Sequence, residues 1–142
     1  MAFQQQLSVV TLGVADLIRS KRFYVDGFGW RPVFENEEIV FYQMNGFVLG
    51  TWLHDKLAED MRRPLGVGRA PFSLGHNVRT REEVRPILDR LAAHGGTLLK
   101  PPVEPPFGGL QGYVADPDDH AWDIVWNPGF RLGDDGSVTF GV

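Results

Sequence analysis

The sequence predicts an α+β fold: two βαβββ modules whose strands form a curved mixed sheet, a cup, with the helices outside. Three observations predict it. The order strand, helix, three strands occurs twice, separated by a Pro/Gly-rich linker. Each helical stretch is apolar on one face only, as a helix lying on a sheet must be. And the stretch Gly109 to Pro128, GLQGYVADPDDHAWDIVWNP, reads as a hairpin too rich in large aromatics to stand uncovered.

Leu7 to Val14 is a short apolar run rich in β-branched residues, the first strand. Asp16 suits a helix N-cap, since its carboxylate accepts from an unpaired first-turn N–H. The helix is expected to run to about Phe28, with Leu17, Phe23, Tyr24 and Phe28 toward a core and Arg19, Lys21 and Arg22 toward water. Gly27 and Gly29 end it. Three strands follow at Trp30–Phe34, Ile39–Met44 and Phe47–Leu53. Asn45-Gly46 marks a hairpin turn because both residues tolerate positive φ.

His54 to Arg63 has the pattern of one short amphipathic helix, and Pro64 to Arg69 that of a flexible link. The order then restarts with a strand at Phe72–Val78. Thr80 and Glu83 have the spacing of a capping box. Val84, Ile87, Leu88, Leu91 and Ala92 mark a helix face. Thr97–Lys100 begins a strand, and Pro101–Gly109 reads as a loop, rigid and then flexible. In the hairpin that follows, Asp116-Pro117-Asp118-Asp119 is turn chemistry and is expected to carry solvated charges. Asn127-Pro128 stops the last long strand. Phe130–Phe140 should form a small terminal hairpin around Gly133–Gly136.

At 142 residues, 43% hydrophobic and 12% aromatic, the chain can bury a core as one domain. It has no cysteine, which removes disulfides, zinc–thiolate sites and thiol nucleophiles together. A formal net charge of -4 without a basic patch argues against a nucleic-acid partner. No apolar run reaches membrane-spanning length and the N-terminus lacks a secretory pattern, so a soluble cytoplasmic protein is expected.

With VTLGVADLIRSKRFYVDGFGW near the start, FSLGHNVRTREEV in the middle and GLQGYVADPDDHAWDIVWNP near the end, the chain resembles the vicinal oxygen chelate superfamily. That superfamily includes glyoxalase I, bleomycin-resistance proteins and extradiol dioxygenases. The resemblance implies one domain over residues 1–142, with module one at about 7–54, a linker at about 55–70, module two at about 71–128 and a C-terminal hairpin at 129–142. It also implies a homodimer, since family members commonly build cups across two chains.

The superfamily's enzymes hold a divalent metal with four side chains, one from each of four cup strands. Position by position, the resemblance places Val9, Gly50, Ser73 and Asp123 there. Only Asp123 is a plausible ligand, and a catalytic metal needs about three protein ligands. No metal or other cofactor is therefore expected. Alternation from these positions turns Thr11, Val48, Trp52, Gly75, Asn77, Ala121 and Val125 inward, with Gln111 and Tyr113 on the partner strand. Leu12, Leu49, Leu74, Trp122 and Ile124 face the helices.

The expected ligand-binding set is then Thr11, Trp52, Ser73, Asn77, Phe107, Gln111, Tyr113 and Asp123. Each has a plainer reading: Trp52 as core filling, Asn77 as a partner for nearby backbone, Asp123 as half of an ion pair, Phe107 as an exposed loop residue rather than a lid. The reading that leads is a small-molecule binder with a metal-free cup. A metal-free acid–base enzyme stands beside it, with Asp123 as base and Tyr113 or His54 as partner. A metal-dependent lyase, isomerase or dioxygenase would follow if the ligand positions were shifted by one residue.

Overall fold

The structure, a computed structural model, describes residues 2–66 and 69–140; Val67 and Gly68 of the expected link lie outside the described residues. Two four-stranded sheets carry the fold. The first is ordered β1-β4-β3-β2, from β1 (Val9–Val14), β2 (Pro32–Glu35), β3 (Ile39–Gln43) and β4 (Val48–Leu53). The second is ordered β5-β8-β7-β6, from β5 (Leu74–Asn77), β6 (Thr97–Val103), β7 (Leu110–Ala115) and β8 (Ala121–Trp126). In each, the module's first strand pairs in parallel with its last, and the other pairings are antiparallel. A third, two-stranded sheet joins β9 (Phe130–Leu132) to β10 (Val138–Phe140). The result is the α+β class with open, mixed sheets.

Alternation sorts each sheet into two faces. Leu12, Val14, Val40, Tyr42 and Leu49 from sheet one are buried, as are Val114, Trp122 and Ile124 from sheet two. Helix residues Phe23, Tyr24, Val84, Leu88 and Leu91 join most of them in a single hydrophobic cluster. Leu12, Leu49, Trp122 and Ile124 among them are the strand residues expected to face the helices. Helix α3 (Val84–Ala93) begins through a 3-10 turn whose capping box joins Thr80 and Glu83. Helix α2 (His54–Met61) ends at Arg62 in left-handed backbone, φ 55°.

The structure corrects four local expectations. Helix α1 (Leu17–Lys21), capped by the Asp16 carboxylate on Ile18 N–H and Arg19 N–H, passes into a π-helical turn over Arg22–Gly27. The wider turn fully buries the adjacent rings of Phe23 and Tyr24. Trp30 lies outside β2; its ring stacks on Phe28 at 4.1 Å, with the planes 9° apart. Likewise Phe72 and Ser73 precede β5. Strand β6 continues through Pro101 and Pro102 to Val103, where a loop was expected. It is an edge strand with an irregular register, the setting in which a missing N–H costs no ladder bond.

Candidate functional site

The face of each sheet turned away from the core carries the predicted residues. On sheet one, Thr11 pairs with Gly50 and Gly50 with Phe41. A Cβ added at Gly50 would lie 3.0 Å from the Phe41 ring and 3.6 Å from the Thr11 hydroxyl, so this glycine lets the ring lie across the strand. Trp52 follows two residues on, half-buried, its indole N–H donating to Glu38 Oε2 at 3.0 Å. Phe34 packs on Phe41 with ring centres 5.9 Å apart and is 52% exposed. Phe34 and Phe41 were absent from the sequence-derived set, which was counted outward from metal-equivalent strands only. Alternation along β3 would have found Phe41.

Sheet two holds the polar half. Tyr113 is paired with Asp123 across β7 and β8, and Gln111 Nε2 donates to Asp123 Oδ2 at 3.0 Å. Asp123 Oδ1 is buried with no hydrogen-bond partner among the described residues. Burial raises the Asp123 pKa above its ordinary value, opposed by the Gln111 amide, the Tyr113 hydroxyl and the charge of Lys100. Burial also raises Tyr113, and the neighbouring carboxylate adds to this, while the nearby Ser73 side chain opposes it. Lys100, paired with Tyr113 on β6, holds its ammonium 6.0 Å above that ring. Lys100 also escaped the sequence reading, because alternation was not counted along the strand that begins at Thr97.

One chain thus brings Ser73, Gln111, Tyr113 and Asp123 together, and separately Thr11 and Trp52. Among the described residues no hydrogen bond or ion pair joins the two groups. Phe107 is half exposed in the loop between β6 and β7. Ser73 and Asn77, but none of the other six predicted residues, line a cleft of about 620 Å³. Val125, expected to face inward, is buried at 5% exposure.

The family model of the Glyoxalase/Bleomycin resistance protein/Dioxygenase superfamily matches residues 6–124. The chain belongs to that superfamily. Among solved structures, a glyoxalase-related enzyme from Fulvimarina pelagi is 55% identical, with 98% of this chain and 100% of that one covered at a TM-score of 0.96. A glyoxalase/bleomycin resistance protein/dioxygenase family enzyme from Burkholderia phytofirmans PsJN is 24% identical, with 84% and 97% covered and a TM-score of 0.76. A lactoylglutathione lyase from Agrobacterium tumefaciens is 20% identical, with 87% and 94% covered and a TM-score of 0.70. The last two show the shared fold alone. No functionally curated protein matches.

The superfamily's metal does not fit the residues present. Val9 and Gly50 have no side-chain donor, and a serine hydroxyl such as Ser73 is a poor transition-metal ligand. Among the described residues no group of three or more His, Cys, Asp or Glu stands close enough to hold an ion. The acidic turn is committed to structure, against the expectation of solvated charges. Asp116 is 3% exposed; its Oδ2 accepts from Tyr24 Oη at 2.7 Å and its Oδ1 from the N–H groups of Asp118 and His120. Asp118 accepts from Ala15 N–H and pairs with Arg19 at 2.6 Å, and the His120 ring meets Gly13 O at 2.9 Å. The turn therefore fastens module two to β1 and α1.

Proposed function

We propose that this protein binds a small organic molecule on its concave faces without a metal, in the manner of the bleomycin-resistance branch it resembles. One observation carries the reading: a carboxylate oxygen, Asp123 Oδ1, sits buried and unpartnered while its twin is held in place by Gln111. An unpaired buried acceptor is costly. A ligand N–H or cation arriving there removes that cost, and Tyr113, Trp52 and Phe41 offer flat apolar area beside it. The donor set argues for direct ligand contact in place of a metal bridge.

A homodimer completes the site in this reading. Thr11, Phe41 and Trp52 of one chain would face Gln111, Tyr113 and Asp123 of the other. Burial of Phe34 and Phe41 supplies the driving force.

A thermal-shift screen of aromatic amines and their neutral isosteres, followed by titration, tests the proposal. Asp123→Asn should weaken amines by about 1.5–3 kcal/mol, the range for a hydrogen bond to a charged group, and leave neutral isosteres almost unchanged. Trp52→Ala should weaken both classes by about 1–3 kcal/mol through lost contact area. Amine affinity indifferent to Asp123→Asn would overturn the assignment.

The raised pKa values of Asp123 and Tyr113 favour one second reading, a metal-free acid–base enzyme with Asp123 as base and Tyr113 as its partner. Turnover of a bound ligand, lost in Asp123→Asn while binding persists, would select it over simple binding.

A further inference from the structure

A cleft shares Ser73 and Asn77 with the concave-face set but none of Gln111, Tyr113 and Asp123. The cleft of about 620 Å³ is lined by residues of both sheets, among them those of the edge strand β5. Its walls include Tyr42 and Leu49 from sheet one, His76 and Trp122 from sheet two, and Trp30. The volume falls within the range of small-molecule sites, roughly 300–1,000 Å³.

Two features make it more than a packing gap. Among the described residues the Tyr42 hydroxyl has no partner although the residue is only 1% exposed, and Asn77 Nδ2 at the same cleft has none either. Tyr24 shows the contrast: its hydroxyl, in the same core, donates to Asp116 and accepts from Trp122. Two idle polar groups among aromatic walls match a pocket that places a few polar contacts against an apolar ligand. Burial keeps His76 below its ordinary pKa, hence neutral at pH 7, while Arg31 and Asp135 are the charged side chains of the lining.

The terminal hairpin covers the mouth. Asp135, Gly136 and Val138 contribute to the lining, and Arg79 Nη2 donates to Gly133 O at 2.7 Å, pinning the tip. Among the described residues strands β9 and β10 pair only with each other, an arrangement marginal by itself and suited to opening.

We propose that this cleft is a second small-molecule site, taking an uncharged planar aromatic compound whose carbonyl or similar oxygen accepts from the Tyr42 hydroxyl, with the terminal hairpin as its cover. The proposal rests on Tyr42 and the cleft's aromatic walls and not on the reading of Asp123.

Fluorescence titration of the full chain with 6-propionyl-2-dimethylaminonaphthalene, an uncharged planar ketone, tests it. Saturable one-to-one binding with blue-shifted emission is expected. Tyr42→Phe, which keeps the ring and the packing, should weaken the probe about 3- to 10-fold, the equivalent of one hydrogen bond. Arg79→Ala, on the surface, should speed its release by freeing the hairpin, which provides a readout if Tyr42→Phe folds poorly. Trp52→Ala should bind as wild type does. Absence of saturable binding, loss of binding in Trp52→Ala, or wild-type affinity in Tyr42→Phe together with wild-type release in Arg79→Ala would each overturn the proposal.

Discussion

Two aspartates seven residues apart do opposite things. Asp116 is buried and all but saturated with hydrogen bonds, from Tyr24, Asp118 and His120. Tyr24→Phe removes its strongest neutral donor and leaves both Asp116 Oδ2 and the Trp122 indole N–H without their partner. It should cost about 1–3 kcal/mol of stability, read by urea unfolding, with the ring packing intact. Asp123 is half-satisfied, and its pKa is raised above 3.8 by burial. The folded state therefore holds this proton where the unfolded chain has lost it. That contribution to stability is full below pH 3.8 and disappears as pH rises through the raised folded value. Asparagine imitates the protonated form. Asp123→Asn should thus melt higher than wild type at pH 7, and the gap should close as pH falls below 3.8; a variant less stable at pH 7 would show that the carboxylate has a partner in solution. The sequence showed that Asp116 begins a turn, since Asp-Pro is local chemistry. It could not show that Tyr24, 92 residues away, would lie over that turn and bury it.

At the scale of elements, the strand faces were legible because alternation is a local rule. Leu12, Leu49, Trp122 and Ile124 are buried toward the helices as parity requires. Misread elements were those whose state depends on position in the sheet. Strand β6 keeps its two prolines because it is an edge, which no local pattern announces. Nothing in the local pattern of Arg22–Gly27 marks the π-helical turn against the α-helix it extends. Helix α3 lies so close to β7 that a Cβ at Gly112 would collide with Leu88 Cδ1 and come within 2.9 Å of Lys100 O. Gly112→Ala must push the helix or the edge strand aside. Overpacking of this kind costs about 1–3 kcal/mol, so the variant should unfold at lower denaturant with an unchanged slope.

The whole molecule exposes what one module alone would hide. In the proposed reading each sheet carries half a site, with the Phe34–Phe41 pair on sheet one and the Gln111–Asp123 pair on sheet two. Sequence order predicted two modules with a link between them, but not how their faces are disposed, because nothing local encodes the angle between sheets. If two copies complete each other's sites, light scattering at micromolar concentration should give twice the chain mass of 15.9 kDa. A mass near 15.9 kDa would separate the halves and leave sheet two as a shallow site.

The central claim is that Asp123 meets a ligand and not a metal. Elemental analysis of protein made without an affinity tag, alongside Asp123→Ala, tests it most directly. The account predicts only traces of Fe, Zn, Ni and Mn in both. Near-stoichiometric metal in the wild type, lost in Asp123→Ala, would contradict it and make the carboxylate a metal ligand.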